Sequence, residues 1–278
     1  MTADLHSLEP GEHRLPCAFC GRGPKDKTYG VTVEPGGAAV GHCFRCGHTE
    51  NYCPDRAPTI RPGKPVPRPA APLKRETLSE YGRELFAACR GLRGTVAEEY
   101  LRARGCAIPP ADGDLRFDPA LRHPSGWVGP GLLALVTHAV TKAPLTLHRT
   151  WIRADGSKAD CDPPRALLGG HSKRHGVIRL WPDESVSMGL AIGEGVETCL
   201  SMAHAFTPVW SCIDAGNLAS LLVLDAIEAL TIAADHDDAG LAAANACARR
   251  WSAAGREVRV VRAPTVGADL NDLVREAA

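Results

Sequence analysis

The sequence lacks a net charge, a long hydrophobic run and an apolar N-terminal segment, and each absence removes a class of protein. Its 32 Lys and Arg balance 32 Asp and Glu, so the chain as a whole is neither a polycation nor a polyanion. The longest apolar stretch, Leu132–Val140, is broken by Thr137 and His138 and is too short to span a bilayer, so no membrane partner is expected. Met1 to Arg14 is polar with no apolar core, which predicts no signal peptide and a cytoplasmic protein with reduced thiols. No G-x-x-x-x-G-K-S/T loop occurs, which excludes a P-loop motor from these residues. No internal repeat is found.

What is present is a soluble globular composition, 44% hydrophobic and 23% charged, in 278 residues. That length holds a small module plus an ordinary domain, or two modest domains. The neutral total hides an asymmetry. Residues 1–185 carry 26 Lys and Arg against 20 Asp and Glu, a balance of +6, whereas residues 186–278 carry 6 against 12, a balance of −6. A basic front and an acidic rear suit a polyanion in front of a metal-binding carboxylate cluster.

The eleven cysteines do not read as a disulfide framework. Their number is odd, and four fall into two C-x-x-C pairs, a metal-binding spacing. Cys17-Ala18-Phe19-Cys20-Gly21 and Cys43-Phe44-Arg45-Cys46-Gly47 are two knuckles of one design, each followed by a glycine that permits a tight turn. Four thiolates close a tetrahedral shell around Zn²⁺, so the site is read as structural rather than catalytic. The 22 intervening residues read as a hairpin with strands near Tyr29–Val33 and Ala38–His42. The plainer alternative is two pairs of ordinary thiols; His42, His48 and Cys53 stand by as substitute ligands. Cys89, Cys106, Cys161, Cys199, Cys212 and Cys247 read as small buried fillers, and the remaining histidines show no metal spacing.

Four segments follow from the composition: a zinc ribbon over 1–54, a linker over 55–75, a helical segment and N-terminal catalytic subdomain over 76–185, and an α/β subdomain over 186–278. Residues 56–75 hold six prolines, six basic residues and no acidic one. Such a linker is extended, about 3.1 Å per residue, and serves as a spacer or also touches phosphates. Glu76–Arg104 has helical spacing, with Leu78, Tyr81, Leu85, Phe86, Val96, Tyr100 and Leu101 expected to face inward. Residues 107–182 show short strands, Leu132–Thr137, Leu145–Trp151 and Val177–Trp181, between Gly/Pro-rich turns. Beyond Ser187 strands and helices alternate. Strands are expected at Leu190–Gly193, Val209–Ile213, Leu230–Ala234 and Val258–Arg262, and helices at Glu197–Ala205, Ala239–Ala254 and Leu270–Glu276. The fold class is therefore α/β, α+β overall, with a mainly parallel C-terminal sheet.

The most informative residues end two of these strands: Gly193-Glu194-Gly195-Val196-Glu197 and Ala234-Asp235-His236-Asp237-Asp238-Ala239-Gly240. Open α/β sheets bind ligands at this edge. Asp235 and Asp237 are two apart in extended chain and point to one side, and Glu194 converges on them if the strands are neighbours. Carboxylates gathered this way repel one another unless a hard cation such as Mg²⁺ or Mn²⁺ sits among them. Acidic residues are also favoured at helix N-termini for capping alone. The two segments together, in this order, favour function.

These segments, with the later Gly267-Ala268-Asp269-Leu270-Asn271-Asp272, resemble the Toprim domain shared by bacterial primases, topoisomerases, OLD-type nucleases and recombination proteins. The region before them resembles primases of phages, plasmids and integrative elements. It does so at His148-Arg149-Thr150-Trp151, Asp155-Gly156-Ser157-Lys158-Ala159, Leu168-Gly169-Gly170 and Val177-Ile178-Arg179-Leu180. The resemblance implies a DNA primase, a nucleotidyltransferase that makes short primers on single-stranded DNA. Glu194 then matches the acid/base or metal-binding glutamate and Asp235 and Asp237 match metal ligands, with Glu197, Asp269 and Asp272 of secondary rank. Such primases are often fused to a helicase; the missing P-loop makes the helicase a separate partner.

A polymerising site also needs cations for the triphosphate and template. Arg149, Lys158, Arg165, Lys173 and Arg174 are the candidates, with Arg153 nearby. Two rivals stand beside this reading: a Toprim nuclease using the same carboxylates, and a non-catalytic zinc-ribbon DNA-binding adaptor. A topoisomerase needs a nucleophilic tyrosine domain, and all four tyrosines precede residue 101.

Overall fold

A computed structural model describes residues 5–21, 23, 25–54 and 74–277. The basic linker expected over 55–75 lies outside the described residues except for Lys74 and Arg75. The chain divides into two units, residues 1–69 and 70–278. Among the described residues no helix is long and apolar enough to cross a membrane.

The first unit is a four-stranded antiparallel meander, β1 (Gly11–Leu15), β2 (Tyr29–Val33), β3 (Ala39–Cys43) and β4 (Thr49–Tyr52), paired in that order. The expected hairpin is β2–β3; β1 and β4 flank it. Alternation places Tyr29, Val31 and Val33 of β2 against Ala39 and Cys43 of β3, with Leu5 and Cys17 completing a small core. Gly41 is required in β3, because a Cβ there would lie 2.0 Å from the Tyr29 hydroxyl.

The second unit is built on one nine-stranded sheet in the order β13-β12-β10-β11-β9-β6-β7-β8, with β5 also on β6. Its elements begin with helices α1 (Glu80–Ala87) and α2 (Val96–Ala103). The antiparallel part follows: β5 (Leu115–Arg122), β6 (Val128–His138), β7 (Pro144–Trp151), β8 (Arg165–Leu167) and β9 (Gly176–Arg179). Then come β10 (Gly189–Gly193), α3 (Val196–Met202), β11 (Val209–Ser211), α4 (Ala215–Ala219), β12 (Ala229–Ala234), α5 (Asp238–Ala253), β13 (Glu257–Arg262) and α6 (Leu270–Ala277). β10 pairs in parallel with β11 and β12, and β12 with β13, giving the expected parallel block. β11 meets β9 antiparallel, so the sheet runs unbroken through residue 185.

Strand alternation divides the core. On one face Leu132, Ala134 and Val136 of β6 pack with Tyr100 and Leu101 of α2 and with Val196, Cys199 and Leu200 of α3. On the other, Leu133, Leu147 and Trp151 pack with Leu78 and with Leu85 and Phe86 of α1. A further cluster joins Ile192, Trp210, Leu218 and Ile232 to Ala244, Cys247 and Trp251 of α5. Of the expected inward positions Tyr81 is a correction, since it is 61% exposed. The Leu78–Leu85–Phe86 stripe already covers the buried side of α1, and Tyr81 falls outside it. Among the expected fillers, Cys106, Cys199, Cys212 and Cys247 are buried, and Cys89 and Cys161 are half-buried.

Candidate active site

In the first unit the two knuckles bring Cys17, Cys20, Cys43 and Cys46 together, their sulfurs all within 4.8 Å of one another. Among the described residues no other three His, Cys, Asp or Glu ligand atoms gather so tightly. Cys17 and Cys46 Sγ are 3.7 Å apart, Cys20 and Cys43 Sγ 3.5 Å. A tetrahedral four-sulfur shell with bonds of about 2.3 Å needs sulfurs about 3.8 Å apart, so these four fit a zinc ion. The Cys46 N–H donates to Cys43 Sγ at 3.5 Å. Backbone donors of this kind, Cys46 first, bring the Cys43 thiol down to about 6 and favour the thiolate a metal needs. His42, His48 and Cys53 are outside the cluster.

In the second unit the chain leaves β10 for β11 on one side and reaches β12 on the other. The carboxyl ends of β10 and β12 therefore flank the point where strand order reverses. Ile192 pairs with Ile232, so Glu194 and Asp235 emerge side by side from neighbouring parallel strands. Glu194 Oε1 and Asp235 Oδ1 are buried without a hydrogen-bond partner. Burial, then Asp235, Asp237 and Asp214, push Glu194 up to about 7. Burial, then Asp269 and Asp237, push Asp235 up to about 6, while Arg165 opposes the rise. Two desolvated carboxylates with unused oxygens and like-charged neighbours have the donor chemistry of a divalent-cation site.

Asp237 has a second task. Its Oδ1 accepts the Gly240 N–H at 2.7 Å and caps α5. Gly240 allows this close turn, since a Cβ would lie 2.6 Å from the Asp235 carbonyl oxygen. Asp269 and Asp272 cap α6 reciprocally, the Asp272 N–H donating to Asp269 Oδ1 at 2.9 Å and the Asp269 N–H to Asp272 Oδ2 at 3.3 Å. Thr198 ties Asp269 to α3 at 3.2 Å. Glu197 is buried and takes the Tyr100 hydroxyl at 2.7 Å, with Arg165 at 3.6 Å from its other oxygen.

The basic candidates separate. Arg165 and Lys158 both act on Glu197, and Arg165 also acts on Asp235, which places Arg165 at the acidic site and Lys158 beside Glu197. Lys173 forms an ion pair with Asp214. Arg174 is exposed with no side-chain contact to the carboxylates. Arg149 shares the face of its cross-strand neighbour Leu133, where its guanidinium lies 5.0 Å over Trp151 and donates to the Leu167 carbonyl at 3.0 Å. The structure therefore turns Arg149 toward α1, whereas His148 shares the Ala134 face with the site. Desolvation brings His148 down to about 4 despite the nearby Glu197.

Asp214 was not legible as a site residue. It ends β11 as Glu194 ends β10, and that shared strand-end position is the signal that finds it. Its Oδ1 accepts the Asn217 N–H at 3.1 Å, and the preceding Ile213 sits at φ +74°, an outlying conformation for a β-branched residue. Tyr100 of α2 and Arg104 just beyond it were missed as site neighbours for a different reason, since contacts across 97 and 167 residues leave no local pattern.

Residues 76–180 match a domain of unknown function, DUF7146, and residues 189–278 match the Toprim domain. No curated protein matches the chain. The chain is similar to a DNA primase domain from Pseudomonas aeruginosa, with a TM-score of 0.46 and 13% identity over 70% of this chain and 74% of that one. It is also similar to the primase fragment of the bacteriophage T7 primase-helicase protein, with a TM-score of 0.41 and 17% identity over 95% of each chain. The parallel half of the sheet, with Glu194, Asp235, Asp237, Asp269 and Asp272, thus lies within the residues of this chain that match the Toprim domain.

Proposed function

We propose that this chain is a DNA primase, joining nucleoside triphosphates on a single-stranded DNA template. The observation that carries the reading is the pair of buried, unpartnered carboxylate oxygens on Glu194 and Asp235 at the sheet's switch point. A carboxylate that serves as a cap has its oxygens occupied, as Asp269 illustrates: its Oδ1 takes the Asp272 N–H and its Oδ2 the Thr198 hydroxyl. Glu194, Asp235 and Asp237 would hold Mg²⁺ or Mn²⁺. Such ions supply charge stabilisation at the attacking and leaving oxygens of phosphoryl transfer.

The chain's own residues do the rest. Glu194, near neutral in its proton affinity, is suited to hold a proton close to the attacking 3′-hydroxyl. Arg165 borders Asp235 and Lys158 lies beside it at Glu197; both would take the negative charge of the phosphates, with Lys173, held by Asp214, as a further cation. The capped α5 and α6 fix Asp235, Asp237 and Asp269 in place. Cys17, Cys20, Cys43 and Cys46 would hold a structural Zn²⁺. A replicative helicase belongs to the same proposal as the motor partner.

The deciding experiment supplies the chain with single-stranded DNA, labelled nucleotides and Mg²⁺, and analyses both synthesis and degradation. Primer synthesis that Glu194→Gln and Asp235→Asn each reduce by about a hundredfold or more is expected. Degradation without synthesis, lost in both variants, would replace the primase reading with a nuclease.

A further inference from the structure

Glu197 lies three residues beyond Glu194, yet its surroundings differ. It is only 5% exposed, and both of its oxygens are engaged, one by the Tyr100 hydroxyl at 2.7 Å and the other by Arg165 at 3.6 Å. Its engaged oxygens set it apart from Glu194 and Asp235, each of which has a buried oxygen without a hydrogen-bond partner. Its neighbours are positive: Arg165 and Arg104 both act on Lys158, itself close to Glu197. One buried carboxylate thus faces two cations, Arg165 and Lys158.

The arrangement has a direction. Tyr100 comes from α2, Glu197 from α3 and Arg165 from β8, so three separate elements fix one guanidinium. Arg165 keeps 43% of its side chain exposed and has a single ionic partner among the described residues. Its remaining donors are free for a second anion on the side of Asp235, whose charge it already offsets. Removing a carboxylate from water is costly, and its gain is orientation more than stability. We infer that Glu197 is a positioning residue, locked by Tyr100, that aims Arg165 and the adjoining Lys158 at the phosphate chain of the substrate. The excess positive charge matches a di- or triphosphate lying between these cations and the carboxylates. This inference rests on the polymerase reading for the identity of the substrate, but not for the existence of the anion subsite.

The test uses the full chain and two probes. Binding of inorganic tripolyphosphate is measured by calorimetry for the wild type, Glu197→Gln, Arg165→Ala and Tyr100→Phe. The nucleotide KM, kcat and Mg²⁺ midpoint of primer synthesis are then measured for the same proteins. Arg165→Ala and Glu197→Gln are expected to weaken tripolyphosphate binding and raise KM by about tenfold, the worth of one charge-assisted contact. Tyr100→Phe moves both the same way by less, and the Mg²⁺ midpoint stays put. A shifted Mg²⁺ midpoint with unchanged tripolyphosphate affinity would make Glu197 a cation ligand and overturn the inference, as would a lower melting temperature with both affinities unchanged. If Glu197→Gln fails to fold, Tyr100→Phe and Arg165→Ala still decide. A wild type that binds tripolyphosphate but makes no primer faults the polymerase reading alone. A wild type that does not bind it ends the subsite.

Discussion

Replacing Glu194 by Gln should stabilise the metal-free protein while abolishing activity. Glu194 is half-buried beside Asp235, Asp237 and Asp214, and its proton affinity is raised from 4.5 to about 7, by burial first. A folded-state value above the unfolded one means that the native protein holds the proton more tightly. Stability from this group is therefore complete below pH 4.5 and is lost as pH rises through about 7. Above that the ionised carboxylate is a constant penalty. The displacement corresponds to roughly 3 kcal/mol, which solvent screening of a half-exposed group reduces to about 1–2 kcal/mol. Gln keeps the shape and removes the charge. In EDTA at pH 8 its melting temperature should rise by about 3–6 °C, and the gain should vanish at pH 4.5. Saturating Mg²⁺ should shrink the difference, because cations stabilise only the wild type. Calorimetry in matched buffers with and without Mg²⁺ measures all three. A variant that melts at or below the wild type at pH 8 without metal would refute the reasoning, since a capping glutamate gains nothing from losing its charge.

Further outcomes follow from other parts of the structure. Protein purified without chelator should contain one zinc per chain, lost in Cys17→Ser with Cys43→Ser, as elemental analysis would report. Mg²⁺ affinity should climb between about pH 6 and 8, because Asp235 and Glu194, at about 6 and about 7, must release protons to bind it; proton release during calorimetric titration checks this. Asp237→Ala should cost about 1 kcal/mol of stability through the lost α5 cap in addition to its effect on activity, whereas Asp237→Asn should spare the cap. A fragment covering residues 186–278 should not melt cooperatively, because Val196, Cys199 and Leu200 share their core with Leu101 and Ile178; circular dichroism decides.

The parallel block was legible because β10 and β12 are apolar runs and β13 a short valine-rich one between charges, all of ordinary length and alternating with helices, so their periods change cleanly. Strand β5 was missed because Pro119 interrupts it and its register shifts between Asp118 and Leu121. Helix α4 spans five residues, too few for a helical period to show. The carboxylates at strand ends were readable from position alone, as were the paired cysteines from spacing. Side-chain direction was harder. Arg149 and His148 are adjacent in sequence, and only the pairing of β7 with β6 reveals that His148 faces the site and Arg149 faces Trp151. Tyr100 was expected inward and is buried, but its contact with Glu197, like that of Asn271 with Arg104, left no trace in the sequence, since the partners sit 97 and 167 residues away.

The nine-stranded sheet is narrow where its two halves meet. β9 is joined to β11 by two residue pairs, Arg179 with Trp210 and Ile178 with Ser211, and to β6 by two more. Backbone pairing of that extent is a weak ruler for aligning cations with carboxylates. The alignment is set instead by side chains crossing from helix to helix: Tyr100 to Glu197, and Arg104 to Asn271 at 2.6 Å. Seen as an engineering problem, exchanging the C-terminal half for that of a relative is a matter of carrying over these four residues. A chimera that breaks them would keep both halves of the proposed site and lose the register between them.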